Sequence, residues 1–126
     1  MNNIETKITE DKKVVNAIVH GMQEKKAVDI VVLDLTHLSN SIASYFVICS
    51  GNSDTQVEAI MDSIEHEVKK TCSETPWKRE GLNNKEWILL DYVSVVTHIF
   101  LKDKRRFYGL EELWGDAVMD LIEDSK

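Results

Sequence analysis

Proline occurs once in this chain, at Pro76, and glycine only five times. No Gly/Ser-rich, repeated or low-complexity tract joins them, so nothing marks a linker between two domains. The 126 residues read as one domain over 1–126, with its core at about 11–123. Cysteine is scarcer still: Cys49 and Cys72 are the only two. They make neither a zinc site nor a Cys-x-x-Cys redox pair, and read as reduced thiols, one in a strand and one at a helix end. No apolar run nears the roughly 20 residues of a membrane span. Met1 to Lys7 has neither a signal core nor an Arg-rich transit character. A cytoplasmic protein without membrane contact is expected. Positive charge is also in deficit, with Lys+Arg at 15 against Asp+Glu at 22 and a net charge of −7. That excludes a generally basic nucleic-acid binder, because phosphate contacts need cations, and leaves an acidic surface that can meet a basic protein.

What is present is an ordinary globular composition, 43% hydrophobic and 29% charged. From about Asp11 to Lys26, Val14, Val15, Ile18 and Met22 recur at helical spacing. Asp29 to Leu35 and Tyr45 to Ser50 are short β-branched runs that predict buried strands. Ser53-Asp54-Thr55-Gln56 fits a capping box, in which Ser53 accepts an orphan amide while Gln56 reaches back. Behind it Val57, Ile60, Met61, Ile64 and Val68 form one stripe of a helix running to about Thr71. Past Pro76, Trp77 to Glu80 predicts a short strand. Trp87 to Asp91 and Val95 to Phe100 predict an antiparallel pair, since Tyr92-Val93-Ser94 is too short for a crossover. Leu110, Leu113, Trp114, Ala117, Val118, Leu121 and Ile122 recur as on a long C-terminal helix. The order α-β-β-α-β-β-β-α predicts an α/β (α+β) fold, a mixed sheet of about five strands flanked by helices.

Little in the chain promises catalysis. His20, His37, His66 and His98 are scattered, no serine sits in a nucleophile elbow, and Gly51-Asn52-Ser53 offers a phosphate only one glycine. Metal-assisted nucleotidyl transfer needs converging acids, usually an Asp-x-Asp pair on one strand face. Asp34 precedes Leu35-Thr36 and Asp91 precedes Tyr92-Val93, so neither strand supplies that pair. No metal or other cofactor is expected. The alternative is a metal-dependent, nucleotidyltransferase-like enzyme in which Asp34 and Asp91 meet in space. Lys102, Lys104, Arg105 and Arg106 cluster at the start of the predicted last helix, where the dipole disfavours cations. That misfit marks Arg105 and Arg106 as contact candidates. Trp77, Trp87, Tyr92, Phe100, Phe107, Tyr108 and Trp114 crowd the same half, and Trp, Tyr and Arg dominate protein interfaces.

Several blocks follow one another in a telling order. They are Ala27-Val28-Asp29-Ile30 with Asp34, Tyr45 to Ser53, Gln56-Val57 with Ala59-Ile60, Trp87 to Tyr92, Val96 to Phe100, and Arg106 to Trp114. Together they resemble the ribosomal silencing factor family (Iojap-like proteins) over about Ala27 to Ala117. The most specific part is the His98 strand followed by Arg106-x-Tyr108-x-Leu110-x-x-Leu113-Trp114. The resemblance implies a binding protein whose fold is nucleotidyltransferase-like without the catalytic acids. It implies docking on the large ribosomal subunit through ribosomal protein fourteen, little direct nucleic-acid contact, and a block to small-subunit joining during nutrient limitation. A homodimer of the free protein is a further expectation. The docking residues are expected to be Trp87, Asp91, His98, Arg106, Tyr108, Leu110 and Trp114. A hydrogen bond within the sheet is the competing role for His98, and a core position for Trp114. The family usually has Asp at the position of Ser44 and Gly-Asp at Val93-Ser94. The missing glycine implies a turn that need not take positive φ.

Overall fold

A computed structural model describes residues 3–39, 41–109, 112, 115 and 117–123. The first helix, α1 (Asn3–Glu24), begins well before the predicted Asp11. It is followed by strands β1 (Val28–Asp34) and β2 (Tyr45–Gly51), and by helix α2 (Asp54–Cys72). Strands β3 (Lys78–Glu80), β4 (Trp87–Asp91) and β5 (Val95–Leu101) come next, then a short helix α3 (Lys102–Tyr108) and a last strand β6 (Val118–Ile122). The six strands form one mixed sheet in the order β3-β4-β5-β2-β1-β6, parallel only between β2 and β5.

The predicted capping box is present with one shift. Ser53 Oγ accepts the Gln56 amide at 3.1 Å, while Gln56 Oε1 accepts the amide of Asn52 at 2.7 Å instead of that of Ser53. The side-chain Nε2 of Gln56 donates to the carbonyls of Lys25 and Lys26, tying the start of α2 to the segment that follows α1. Val57, Ile60, Ile64 and Val68 are buried as the stripe predicts. The two helices touch at Gly21, where a Cβ would lie 2.7 Å from the backbone of Ile64; only glycine allows this approach.

Strand alternation divides the core in two. Ile30, Tyr45, Val47, Cys49, Ile88, Leu90, Val95 and Ile99 pack under α1 and α2. Val31, Leu33, Ile48 and Phe100 point to the other face, joined by Leu35 and Ala43 and flanked by Phe46, Trp87 and Val96. An irregularity in the β1–β2 register between Val28 and Val31 contains Asp29 at φ 54°. Arg105 braces it, donating to the carbonyl of Asp29 and to Ser50 Oγ.

The long C-terminal helix is not found across its last positions. Val118 to Ile122 instead forms β6, pairing antiparallel with β1 from Asp34↔Val118 to Ile30↔Ile122. A Val/Leu/Ile-rich stretch satisfies helical and extended patterns alike, and the open edge of β1 decides between them. The expected clash with a helix dipole is not found either: Arg105 and Arg106 sit in the last turn of α3, where cations are favoured.

Candidate functional site: an aromatic ledge on β4, β5 and α3

Cross-strand register brings the candidate residues together. Trp87 pairs with Phe100, Leu89 with His98 and Asp91 with Val96, so all six project from the face turned away from α1 and α2. Trp87 stacks on Phe100 with ring centroids 5.1 Å apart and tilts against Tyr108 of α3 at 4.8 Å. Phe46, reaching in from β2, meets His98 edge-on at 4.7 Å.

His98 lies beneath this ledge, only 3% exposed. Its Nδ1 accepts the indole N–H of Trp87 at 2.9 Å. An indole nitrogen can only donate, so Nδ1 is unprotonated and the neutral ring carries its proton on Nε2. Nε2 is buried without a hydrogen-bond partner among the described residues. Desolvation pushes the His98 pKa down to about 3, which keeps the imidazole neutral and the acceptor for Trp87 intact. The sheet role is therefore the one realised; this ring holds Trp87 and is not itself a surface contact.

The outer members differ. Tyr108 is 37% exposed, and its hydroxyl donates to Glu86 at 3.3 Å. Partial desolvation, then the Glu86 charge, raise its pKa above the ordinary value. Arg106 is exposed on α3, and Trp87 is half-buried. Asp91 closes the β4–β5 turn, its Oδ1 accepting the Val93 amide at 2.7 Å. Val93 there adopts φ 75°, so the turn needs positive φ even without glycine, contrary to expectation. Leu110 and Trp114 lie outside the described residues.

Asp34 and Asp91 do not meet. Asp34 shares its face with Tyr45 and Val95, whereas Asp91 shares the opposite face with Val96. Three strand spacings separate them besides, about 14 Å. No single cation can bridge that gap. Asp34 Oδ1 instead accepts the amide and hydroxyl of Thr36, at 2.9 and 2.5 Å.

A ledge of Trp, Tyr and Arg over a packed aromatic base has the composition of a protein-contact surface. The family described as "Ribosomal silencing factor during starvation" matches residues 8–126, a span that includes the ledge. The chain belongs to the ribosomal silencing factor family. It is 41% identical over 108 residues to "Ribosomal silencing factor RsfS" of Bacillus subtilis, covering 86% of this chain and 90% of that one. A crystal structure of a Chromobacterium violaceum protein superposes with a TM-score of 0.77 at 29% identity, covering 82% of this chain and 85% of the other. A mouse protein named "Mitochondrial assembly of ribosomal large subunit protein 1" is 30% identical over 102 residues, covering 79% of this chain and 44% of its own length.

Within this silencing-factor chain, three parts of the ledge escaped sequence reasoning: Phe46, Glu86 and the Arg105 brace. Phe46 had a signal, since alternation along β2 places it with Ile48 on the ledge face. Glu86 and the brace depend on α3 folding back, for which no local pattern speaks. Ser44 and Ser94 turn out to be neighbours: the Ser44 amide donates to the Ser94 carbonyl at 2.7 Å. Lys7 reaches the same spot, donating to Ser94 Oγ at 2.7 Å.

Proposed function

We propose that this chain represses translation by docking on the large ribosomal subunit at ribosomal protein fourteen and barring the small subunit from joining. Family membership supports the silencing role, and the observation that carries the docking site is the ledge of Trp87, Tyr108 and Arg106. Trp87 and Tyr108 supply rigid apolar area at low entropic cost, and Arg106 a cation at the rim. Asp91, Leu110 and Trp114 complete the contact, while His98 acts from below by fixing Trp87. The net charge of −7 suits a basic ribosomal protein and resists off-register binding to RNA. The mouse relative's name associates that protein with the large subunit, and we extend the subunit, with a cytoplasmic setting, to this chain. The action is occlusion, so no turnover is required of it.

Sedimentation tests the proposal. Added before purified subunits are mixed, the protein should travel with the large subunit and leave separate subunit peaks. Added to preformed ribosomes, it should act only as fast as they dissociate. Tyr108→Ala should cost about 2 kcal/mol of binding while the thermal midpoint is kept. Co-sedimentation with the small subunit, or full binding by Tyr108→Ala, would overturn the assignment.

A further inference from the structure

Helix α3 carries two outer residues of the ledge, Arg106 and Tyr108, yet little in its own sequence holds it. It is seven residues long, follows β5 without a connecting loop, and has no side-chain cap at Leu101. A helix so short does not keep its shape alone, so contacts with the sheet must fix it. Arg105 and Tyr108 lie three positions apart and share one side of α3, whereas Arg106 is exposed. Their anchors fall on opposite sides of β5. Tyr108 leans toward β4, its ring 4.8 Å from that of Trp87. Arg105 reaches the other way, where Nη1 donates to the Asp29 carbonyl on β1 and to Ser50 Oγ on β2, the latter at 3.1 Å. Both acceptors are fixed by the sheet. Ser50 is wholly buried, and Asp29 sits at φ 54° where the β1–β2 register slips.

We propose that Arg105 is a positioning residue of the docking surface: its two bonds seat α3 on the sheet so that Tyr108 and Arg106 stand beside Trp87. The inference rests on the docking reading above and names what prepares that surface. Without the brace, α3 loses its polar hold on β1 and β2. A partner that needs α3 seated then binds only the seated fraction of molecules, and its apparent affinity falls by that fraction. Arg105 need not touch the partner for this to happen. Ser50 separates the two roles, because it accepts one of the two bonds and yet is too deeply buried to meet a partner.

The test compares the full wild-type chain with Arg105→Met, Arg105→Lys and Ser50→Ala. Large-subunit affinity is read beside amide exchange at 106–109 and the nuclear Overhauser contact between the Trp87 and Tyr108 rings. Arg105→Met keeps the stem, loses the donors, and should bind about tenfold more weakly. Exchange at 106–109 should quicken and the ring contact fade, while exchange along the buried stripe of α2, 57–68, stays unchanged. Ser50→Ala removes one bond of the two and should weaken binding about threefold in the same pattern. Arg105→Lys, which keeps a donor and the charge, should fall between Arg105→Met and the wild type. Full affinity in Arg105→Met overturns the proposal, as does unchanged exchange at 106–109 or equal acceleration at 57–68. Weak binding by Arg105→Met beside full binding by Ser50→Ala and an intact ring contact also overturns it, since Arg105 would then be a direct contact. A wild-type chain that leaves large subunits unbound defeats the docking reading as well, whereas the other outcomes defeat the positioning role alone.

Discussion

Beneath the helices the sheet is mainly aliphatic, whereas its other face carries the ring cluster of Trp87, His98, Phe100 and Tyr108. The two are held together by different physics. Under α1 and α2, Ile, Val and Leu side chains interdigitate with nearly all their surface removed from water. Such contacts are strong in sum and indifferent to pH. On the ledge face, rings meet at defined angles, one indole–imidazole hydrogen bond sets the orientation, and a buried imidazole N–H has no partner among the described residues. An orphan donor of this kind costs about 1–3 kcal/mol. The helix face carries buried hydroxyls without a partner among the described residues as well, on Tyr92 and Thr97, so what sets the ledge face apart is the fixed, half-exposed Trp87.

The comparison breaks most visibly in the helix-side core. Ile64 is fully buried, so Ile64→Ala should lower the unfolding free energy by about 2–5 kcal/mol in urea, with subunit binding by the folded fraction unchanged. A loss below about 1 kcal/mol would mean that this face is not the stabilising one.

Acid should discriminate next. His98 titrates near its ordinary 6.5 when unfolded and at about 3 when folded. Between those values the unfolded chain binds the extra proton, so stability is complete above 6.5 and falls as pH drops. The slope approaches about 1.4 kcal/mol per pH unit. His98→Gln, which cannot titrate, should flatten that part of the profile, and circular dichroism melts from pH 4 to 7 would show it. A slope unchanged in His98→Gln would place the acid sensitivity elsewhere.

A smaller effect belongs to the helix face again. Ser53→Ala removes the side-chain cap of α2 and should cost about 1 kcal/mol. The smallest is on the ledge side: Val93→Gly relieves a β-branched residue at φ 75° and should raise stability by about 1 kcal/mol or less. If Val93→Gly destabilises instead, the turn owes its shape to the side chain and not to Asp91.

How legible these features were depends on how local their causes are. α2 was readable from cap to stripe because Ser53, Gln56 and the Val57–Val68 spacing act within a few turns. Trp87, Asp91 and His98 could be grouped because a two-residue period puts them on one face of adjacent strands. His98's burial could not, since it depends on Phe46, three strands earlier in sequence order. β6 was misread for the same reason: its pattern suits a helix as well, and only the distant edge of β1 selects the strand. The turn at Val93 shows the reverse case, where a missing glycine suggested an easy backbone and the Asp91 carboxylate imposes a harder one.

Cys49 carries a last consequence. It is wholly buried on β2, under the helices, and burial raises its thiol pKa far above the usual value. Cys72, at the end of α2, is only half-buried. A thiol-modifying reagent therefore meets two clocks in one molecule. Cys72 is labelled from the native state, whereas Cys49 reacts only in the rare molecules whose central strands have come apart. The lag between the first and second adduct in a mass spectrum measures how often the whole sheet opens, and needs no denaturant to do so.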